Sequence, residues 1–201
     1  LYNCACMIFD RQIFGFSAKQ HLANDGVHYE HRWFQPWPGT VKSTFMINGR
    51  EVPFGDITYD LYGIKTAFEI CEDMWHQNSR PAARFAEQGV QIILNPSASP
   101  FTFGKTKRRE SIIVKSTIDY NCVYMYANLL GNESGRIIFD GEIFIASNGN
   151  TDIRNTRFSY KKLNLVFADY EFTTDHIRLI SNTEVSSEEN KETEFYKAAS
   201  L

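Results

Sequence analysis

Long apolar runs are missing from this sequence: none approaches the roughly eighteen residues of a membrane-spanning helix, so no such span is expected. An excess of one charge is missing too. Lys and Arg number 21 against 24 Asp and Glu, and a net charge of −3 gives no general attraction for a phosphate backbone or an anionic membrane surface. Neither nucleic acid nor membrane is therefore expected as a partner, and the basic cluster at residues 105–110 (KTKRRE) is read as a solvated helix start. Residues 1–9 (LYNCACMIF) lack the basic flank and cleavage pattern of a secretory signal, so a cytoplasmic protein is the expectation. Cysteine is scarce, four in all. Cys4 and Cys6 stand two apart on an expected strand and point to one face, a spacing that seldom bridges, while Cys71 and Cys122 lie at or within apolar segments. There is no C-x₂-C pair and no ligand-spaced histidine pair, His28 and His31 falling in an expected loop, so a structural zinc site is not expected and the thiols are read as reduced.

What is there suffices for one sizeable core: 43% of the 201 residues are hydrophobic and 14% aromatic. The opening reads LYNCACMIF, DRQ, IFGFS, two apolar runs about a polar connection, which predicts a hairpin. A polar stretch with His, Trp and Pro over residues 19–40 is expected as loop, and TFMI-NG-REVPFG as a second hairpin about an Asn-Gly turn. LYGIKTAF (61–68), running on towards Cys71, is expected as one strand, RPAARFAEQG as a helix ending at Gly89, and VQIILN as the next strand. A helix over 105–119 and strands at CVYMYAN, EIFIAS and NLVFADYE follow. Apolar runs without alternation predict strands covered on both faces, hence an α/β fold with a buried sheet and not a β-sandwich.

Past residue 180 the composition turns polar and charged (SNTEVSSEENKETE), which predicts a linker over 181–194. Residues 195–201 (FYKAASL) resume helical spacing. They read as the opening helix of a further domain, and the same spacing suits a C-terminal helix folded back on the core. Because the chain opens inside a strand with no Met before Leu1, the domain of residues 1–180 is expected to lack its N-terminal part.

Three polar residues follow apolar strands: Lys19 after IFGFSA, Cys71 after AFEI and Asn95 after VQIIL. Strand ends gather in α/β sheets, which would bring an ammonium and a thiol together. From FEICEDMW alone a packed thiol, the commoner fate of a cysteine, stays open beside a reactive one. A thiol of ordinary pKa near 8.5 is only about 3% thiolate at pH 7, so a reactive one needs a cation close by. That cation could equally steady a developing oxyanion beside the backbone N–H of Glu72.

EICEDMW, a lysine closing an upstream strand and LNPSASPFTFGK occur in order with YNCACMIFDRQIFGFSAKQHL, YEHRWF and YANLLGNESGRIIFDG. Together they resemble the nitrilase superfamily of carbon–nitrogen hydrolases, and within it the glutamine-amidase domain of the glutamine-dependent NAD synthetases. The likeness runs nearly the whole chain, and EFYKAASL is similar to the first helix of that family's ATP-using domain. The resemblance implies a nitrilase-like αββα four-layer sandwich and a Glu–Lys–Cys triad acting on glutamine. Cys71 matches the nucleophile and Lys19 the triad lysine, with the Glu72 amide as oxyanion donor. Glu30, in YEHRWF, matches a second glutamate that would anchor the substrate ammonium or hold Lys19; a surface acid in a loop would read the same. Ser99 and Lys105 match positions that contact glutamine, a cation at Lys105 suiting its α-carboxylate, and an exposed lysine at a helix start reads alike.

The triad glutamate has no match in the chain and is expected upstream of Leu1, and Asp25 stands where many relatives have a tyrosine. No Ser-Gly-Gly phosphate loop occurs, so no cofactor is expected in this chain. ATP, magnesium and deamido-NAD are implied for a synthetase domain elsewhere in the polypeptide, and a homo-oligomer is implied as well. Two other readings stand beside this one: another nitrilase-type amidase, and a degenerate nitrilase-like scaffold in which Cys71 is merely packed.

Overall fold

The computed structural model describes the chain apart from residues 27, 78, 134–136, 174–175 and 184–189, and it divides into two units, Leu1–Pro96 and Ser97–Leu201. In the first unit β1 (Cys4–Phe9) and β2 (Gln12–Ala18) form the expected antiparallel hairpin, with Asp10 and Arg11 both at positive φ in the turn. β3 (Lys42–Ile47) and β4 (Arg50–Gly55) form the second, reversed at Asn48 and Gly49 with φ of 49° and 75°, as the Asn-Gly pair predicts. β4 also runs parallel to β2, which gives a four-stranded sheet of order β1-β2-β4-β3. Met7, Ile57 and Tyr59 make a buried cluster with Phe14, Leu61, Phe68 and Leu94 packed on it.

One strand was expected across residues 61–68, and the structure has two. β5 (Thr58–Leu61) and β6 (Ile64–Phe68) are antiparallel, and the chain reverses at Tyr62 and Gly63, with φ of 55° and 87°. The apolar character of the run hid the reversal; Gly63 was its only local mark. After β6 the chain crosses over through α1 (Pro81–Glu87), which starts on a proline and stops before Gly89 at φ 75°, and returns as β7 (Ile92–Ser97) parallel to β6. This crossover sets the carboxyl end of β6, and with it Cys71, at a strand-to-helix corner.

The second unit is built on α2 (Lys105–Asp119), which occupies the predicted residues and is entered through Gly104 at φ 77°. Its inward face, Thr106, Arg109, Ile113, Ser116 and Thr117, follows helical spacing. The remaining elements are β8 (Val123–Asn128), β9 (Leu130–Glu133), β10 (Ile137–Asp140), β11 (Ile143–Ser147) and β12 (Asn150–Arg154). β8, β11 and β12 pair antiparallel beneath α2, and β9 pairs with β10. β13 (Ala168–Phe172) and β14 (Ile177–Asn182) form a last hairpin, so the strand read in NLVFADYE covers only its second half. The stretch read as a linker falls in part on residues 184–189, outside the described residues; α3 (Lys191–Ser200) begins just beyond, capped by the Asn190 side chain, which accepts from the Thr193 amide at 2.8 Å. Among the described residues no helix is long and apolar enough to cross a membrane, and the four cysteines are free.

Candidate active site

Cys71 opens a 3₁₀ turn, Cys71–Trp75, three residues past the end of β6. Its φ is +47°, in the left-handed region that a residue with a Cβ enters at a cost of about 1–3 kcal/mol. A sharp strand-to-helix bend of this kind turns the apical side chain out of the ladder, and Cys71 stays half-buried, neither packed away nor fully in solvent. The Glu72 amide lies ahead of the first hydrogen bond of the turn, from the Asp73 amide to the Ile70 carbonyl at 3.1 Å, where a helix start leaves N–H groups without an intrahelical acceptor and an oxyanion donor can be drawn from. The Glu72 carboxylate stands 3.3 Å from His76 Nε2.

Lys19, just beyond β2, is 2% exposed. Its amide donates to the Asn3 carbonyl at 2.9 Å and its own carbonyl accepts from the Trp37 amide at 3.0 Å, so its backbone is fixed on both sides. The ammonium donates to Glu30 Oε2, an oxygen that also accepts from the Ala23 amide at 2.6 Å, while Glu30 Oε1 accepts from Asn3 Nδ2 at 2.9 Å. Burial pushes the Glu30 carboxyl up, but the hydrogen bonds from Lys19 and Ala23 pull harder and hold it below its ordinary value. Of the two roles implied for Glu30, contact with Lys19 is the one seen. Asp25 is exposed and accepts from the His28 amide at 2.7 Å.

A residue that sequence reasoning did not single out joins these two parts. Asp73, buried two positions after Cys71, accepts through Oδ1 from the amides of Gln20 (3.1 Å) and His21 (2.7 Å), the residues that follow Lys19. Through Oδ2 it accepts from the Ile70 amide at 3.1 Å, just before Cys71. Burial pushes its carboxyl up to about 7, against the downward pull of those N–H partners. Next to it, fully buried Glu69 takes a two-pronged contact from Arg80, Nη2 at 2.7 Å and Nε at 3.1 Å. The His21 and His76 rings stack at 4.0 Å with 9° between planes, and burial lowers the His21 pKa.

Ser99 and Lys105 lie in the second unit. Ser99 is buried; its amide donates to Asn128 Oδ1 at 2.8 Å and its carbonyl accepts from Asn128 Nδ2 at 2.9 Å and from Arg109 Nη2 at 3.2 Å. Lys105 opens α2 and donates through Nζ to the Pro100 carbonyl at 3.1 Å. The solvated reading of KTKRRE is corrected at Arg109. Lys107 and Arg108 are exposed, but Arg109 falls on the inward face and is fully buried, with Nη1 2.7 Å from both Asp140 and Glu142. Arg157 lies 3.7 Å from Glu142 and pairs with Glu194 of α3. Burial raises the Glu142 carboxyl, with Asp140 adding to the effect.

No family model matches the chain. Over 176 residues it is 31% identical to the glutamine-dependent NAD(+) synthetase of Mus musculus and 33% identical to that of Saccharomyces cerevisiae, covering 83% of this chain and 24% of each relative. The chain thus spans about a quarter of the length of the curated relatives it matches. Among solved structures it is similar to a glutamine-dependent NAD(+) synthetase from Cytophaga hutchinsonii, at 42% identity and a TM-score of 0.78 over 100% of this chain and 30% of that one. It is also similar to a carbon-nitrogen hydrolase from Helicobacter pylori G27, at 23% identity and a TM-score of 0.62 over 77% of this chain and 53% of that one, a likeness of fold alone. The nitrilase-like α/β fold expected from the motifs is therefore the fold found.

Proposed function

We propose that this chain, with the fold of the nitrilase-like carbon–nitrogen hydrolases and sequence relatives among the glutamine-dependent NAD(+) synthetases, is a glutamine-hydrolysing portion that supplies ammonia for the ATP-dependent amidation of deamido-NAD. One observation carries the reading: a buried lysine paired with Glu30 is fastened, through Asp73, to the bend that presents Cys71.

In this reading the Cys71 thiolate attacks the side-chain amide carbon of glutamine, and the carbonyl electrons move onto oxygen, towards the Glu72 N–H and the Lys19 ammonium. The tetrahedral adduct collapses with loss of ammonia to a glutamyl thioester, which water cleaves to glutamate and the free thiol. The triad glutamate, expected upstream of Leu1, takes the thiol proton and passes it to the leaving nitrogen, a role typically worth about 10²–10⁴-fold in rate. The family resemblance, and not their placement in the structure, is what assigns Ser99 and Lys105 as glutamine contacts, Lys105 for the α-carboxylate. ATP, magnesium and deamido-NAD belong to the synthetase portion of the same polypeptide, and a cytoplasmic homo-oligomer is part of the same reading.

The test is ammonia release from glutamine by the protein extended upstream of Leu1, beside its Cys71→Ala variant and after treatment with a glutamine-mimicking diazoketone. Turnover should vanish in the variant, and the label should map to Cys71 alone among the four cysteines, since Cys122 is buried, burial pushes the Cys4 thiol up to about 11, and it raises the Cys6 thiol as well. Label on Cys4, Cys6 or Cys122, or turnover without the Cys71 thiol, refutes the assignment.

A further inference from the structure

We infer that Asp73 is the positioning residue of this site: its carboxylate sets the lysine-bearing turn against the thiol-bearing turn, and so governs turnover more than substrate affinity. This rests on the reading of Cys71 and Lys19 as the reacting groups. The two lie far apart in the chain, on segments that follow different strands. Asp73 spans them with three hydrogen bonds, two to consecutive amides after Lys19 and one to the amide before Cys71. The ionised carboxylate accepts all three at full strength, and protonation turns one of its oxygens into an O–H group, a weaker acceptor. An asparagine keeps one oxygen and sets an NH₂ against an N–H on the other side, so one turn or the other is released. Catalytic geometry is intolerant of such release, a misplacement of about 1 Å costing on the order of 10²-fold.

Two ionisable side chains act on Asp73 most strongly. Glu69 at the end of β6 disfavours its ionised form and Lys19 beyond β2 favours it, and the His21 and His76 rings stack beside the turn. The tether is therefore strongest while Asp73 is ionised, and it weakens as protons return.

The experiment uses the full-length enzyme, with Asp73→Asn compared with wild type for glutamine turnover between about pH 5.5 and 8.5. The expected result is a kcat about 30- to 100-fold lower with KM for glutamine within about twofold, and loss from the variant of an acid limb seen near pH 7 in wild type. A kcat within about twofold of wild type, or a KM effect with kcat intact, overturns the inference. Hydrogen exchange on the wild-type protein is an independent arm that does not need the variant to fold. The Gln20, His21 and Ile70 amides should be protected together, and after correction for intrinsic rates should lose protection together as pH falls through about 7. Exchange of these amides at open-loop rates, or protection lost independently at the two ends, also overturns it. A wild-type enzyme that releases no ammonia from glutamine refutes the functional reading instead, and the exchange arm still judges the tether.

Discussion

Replacing Glu30 with glutamine keeps the shape of the side chain and removes its charge. Lys19, at 2% exposure, then keeps a buried ammonium without the carboxylate that now contacts it, and one of the donors from Ala23 and Asn3 meets an NH₂ group. Removing one partner of a fully buried ion pair costs about 3–5 kcal/mol. The Glu30 side chain is still 16% exposed, so water recovers part of this, and a loss of about 2–3 kcal/mol is expected. At about 2–4 °C per kcal/mol for a chain of this length, the melting temperature should fall by about 4–12 °C near neutral pH. The sign of the pH dependence follows from the depressed pKa. A carboxyl held below its usual value near 4.5 in the fold stabilises above that value, and the contribution is lost as pH falls through the folded one. The gap between wild type and Glu30→Gln should therefore be full at about pH 7 and shrink below about pH 4.5. Thermal unfolding followed by circular dichroism at these pH values is the assay. A variant melting within about 1 °C of wild type at neutral pH, or a gap that does not narrow in acid, would refute the reasoning.

In the second unit, Arg109→Met leaves Asp140 and Glu142 in the interior with only Arg157, 3.9 and 3.7 Å away, as a described cation partner; about 3 kcal/mol should be lost, and more at higher pH because burial already disfavours the ionised form of Glu142. Urea midpoints at about pH 5 and pH 8 check this, and a midpoint near wild type at both contradicts it. Gly55→Ala should cost at least about 2 kcal/mol, since Gly55 has φ +114° and a Cβ there would lie 2.6 Å from the Val41 carbonyl and 2.7 Å from Trp37 Nε1, which donates to that carbonyl. Denaturation followed by tryptophan fluorescence reads it directly, and an unchanged midpoint would mean that the strand yields without cost.

The elements legible in the sequence were those with local punctuation. α2 was readable because its inward positions recur at helical spacing over 15 residues, and the β3–β4 turn because Asn48 and Gly49 suit positive φ. β5 and β6 merged in the reading because Leu61, Tyr62 and Ile64 are all apolar and only Gly63 marks the reversal. Lys19 and Cys71 could be found as polar residues following apolar strands. Asp73 could not: in CEDMW it looks like Glu72, a solvated acid, and two of its three amide partners lie 53 and 52 positions away and carry no side-chain signature. Arg109 was hidden for a related reason. Charge in a basic cluster suggests solvent, and the acids that neutralise Arg109 follow only after β9.

The left-handed backbone at Cys71 bears on how this protein responds to selection for robustness. A glycine holds φ +47° freely, so Cys71→Gly relieves about 1–3 kcal/mol of strain against about 0.5–1 kcal/mol of added chain entropy and the lost contacts of a half-buried side chain. The thiol that the proposed mechanism needs thus stands at a position where the fold itself loses little without it. On the proposed mechanism, screens that score only expression or thermal tolerance do not select against loss of activity at this corner, and improvement of the protein has to be scored on turnover at the same time.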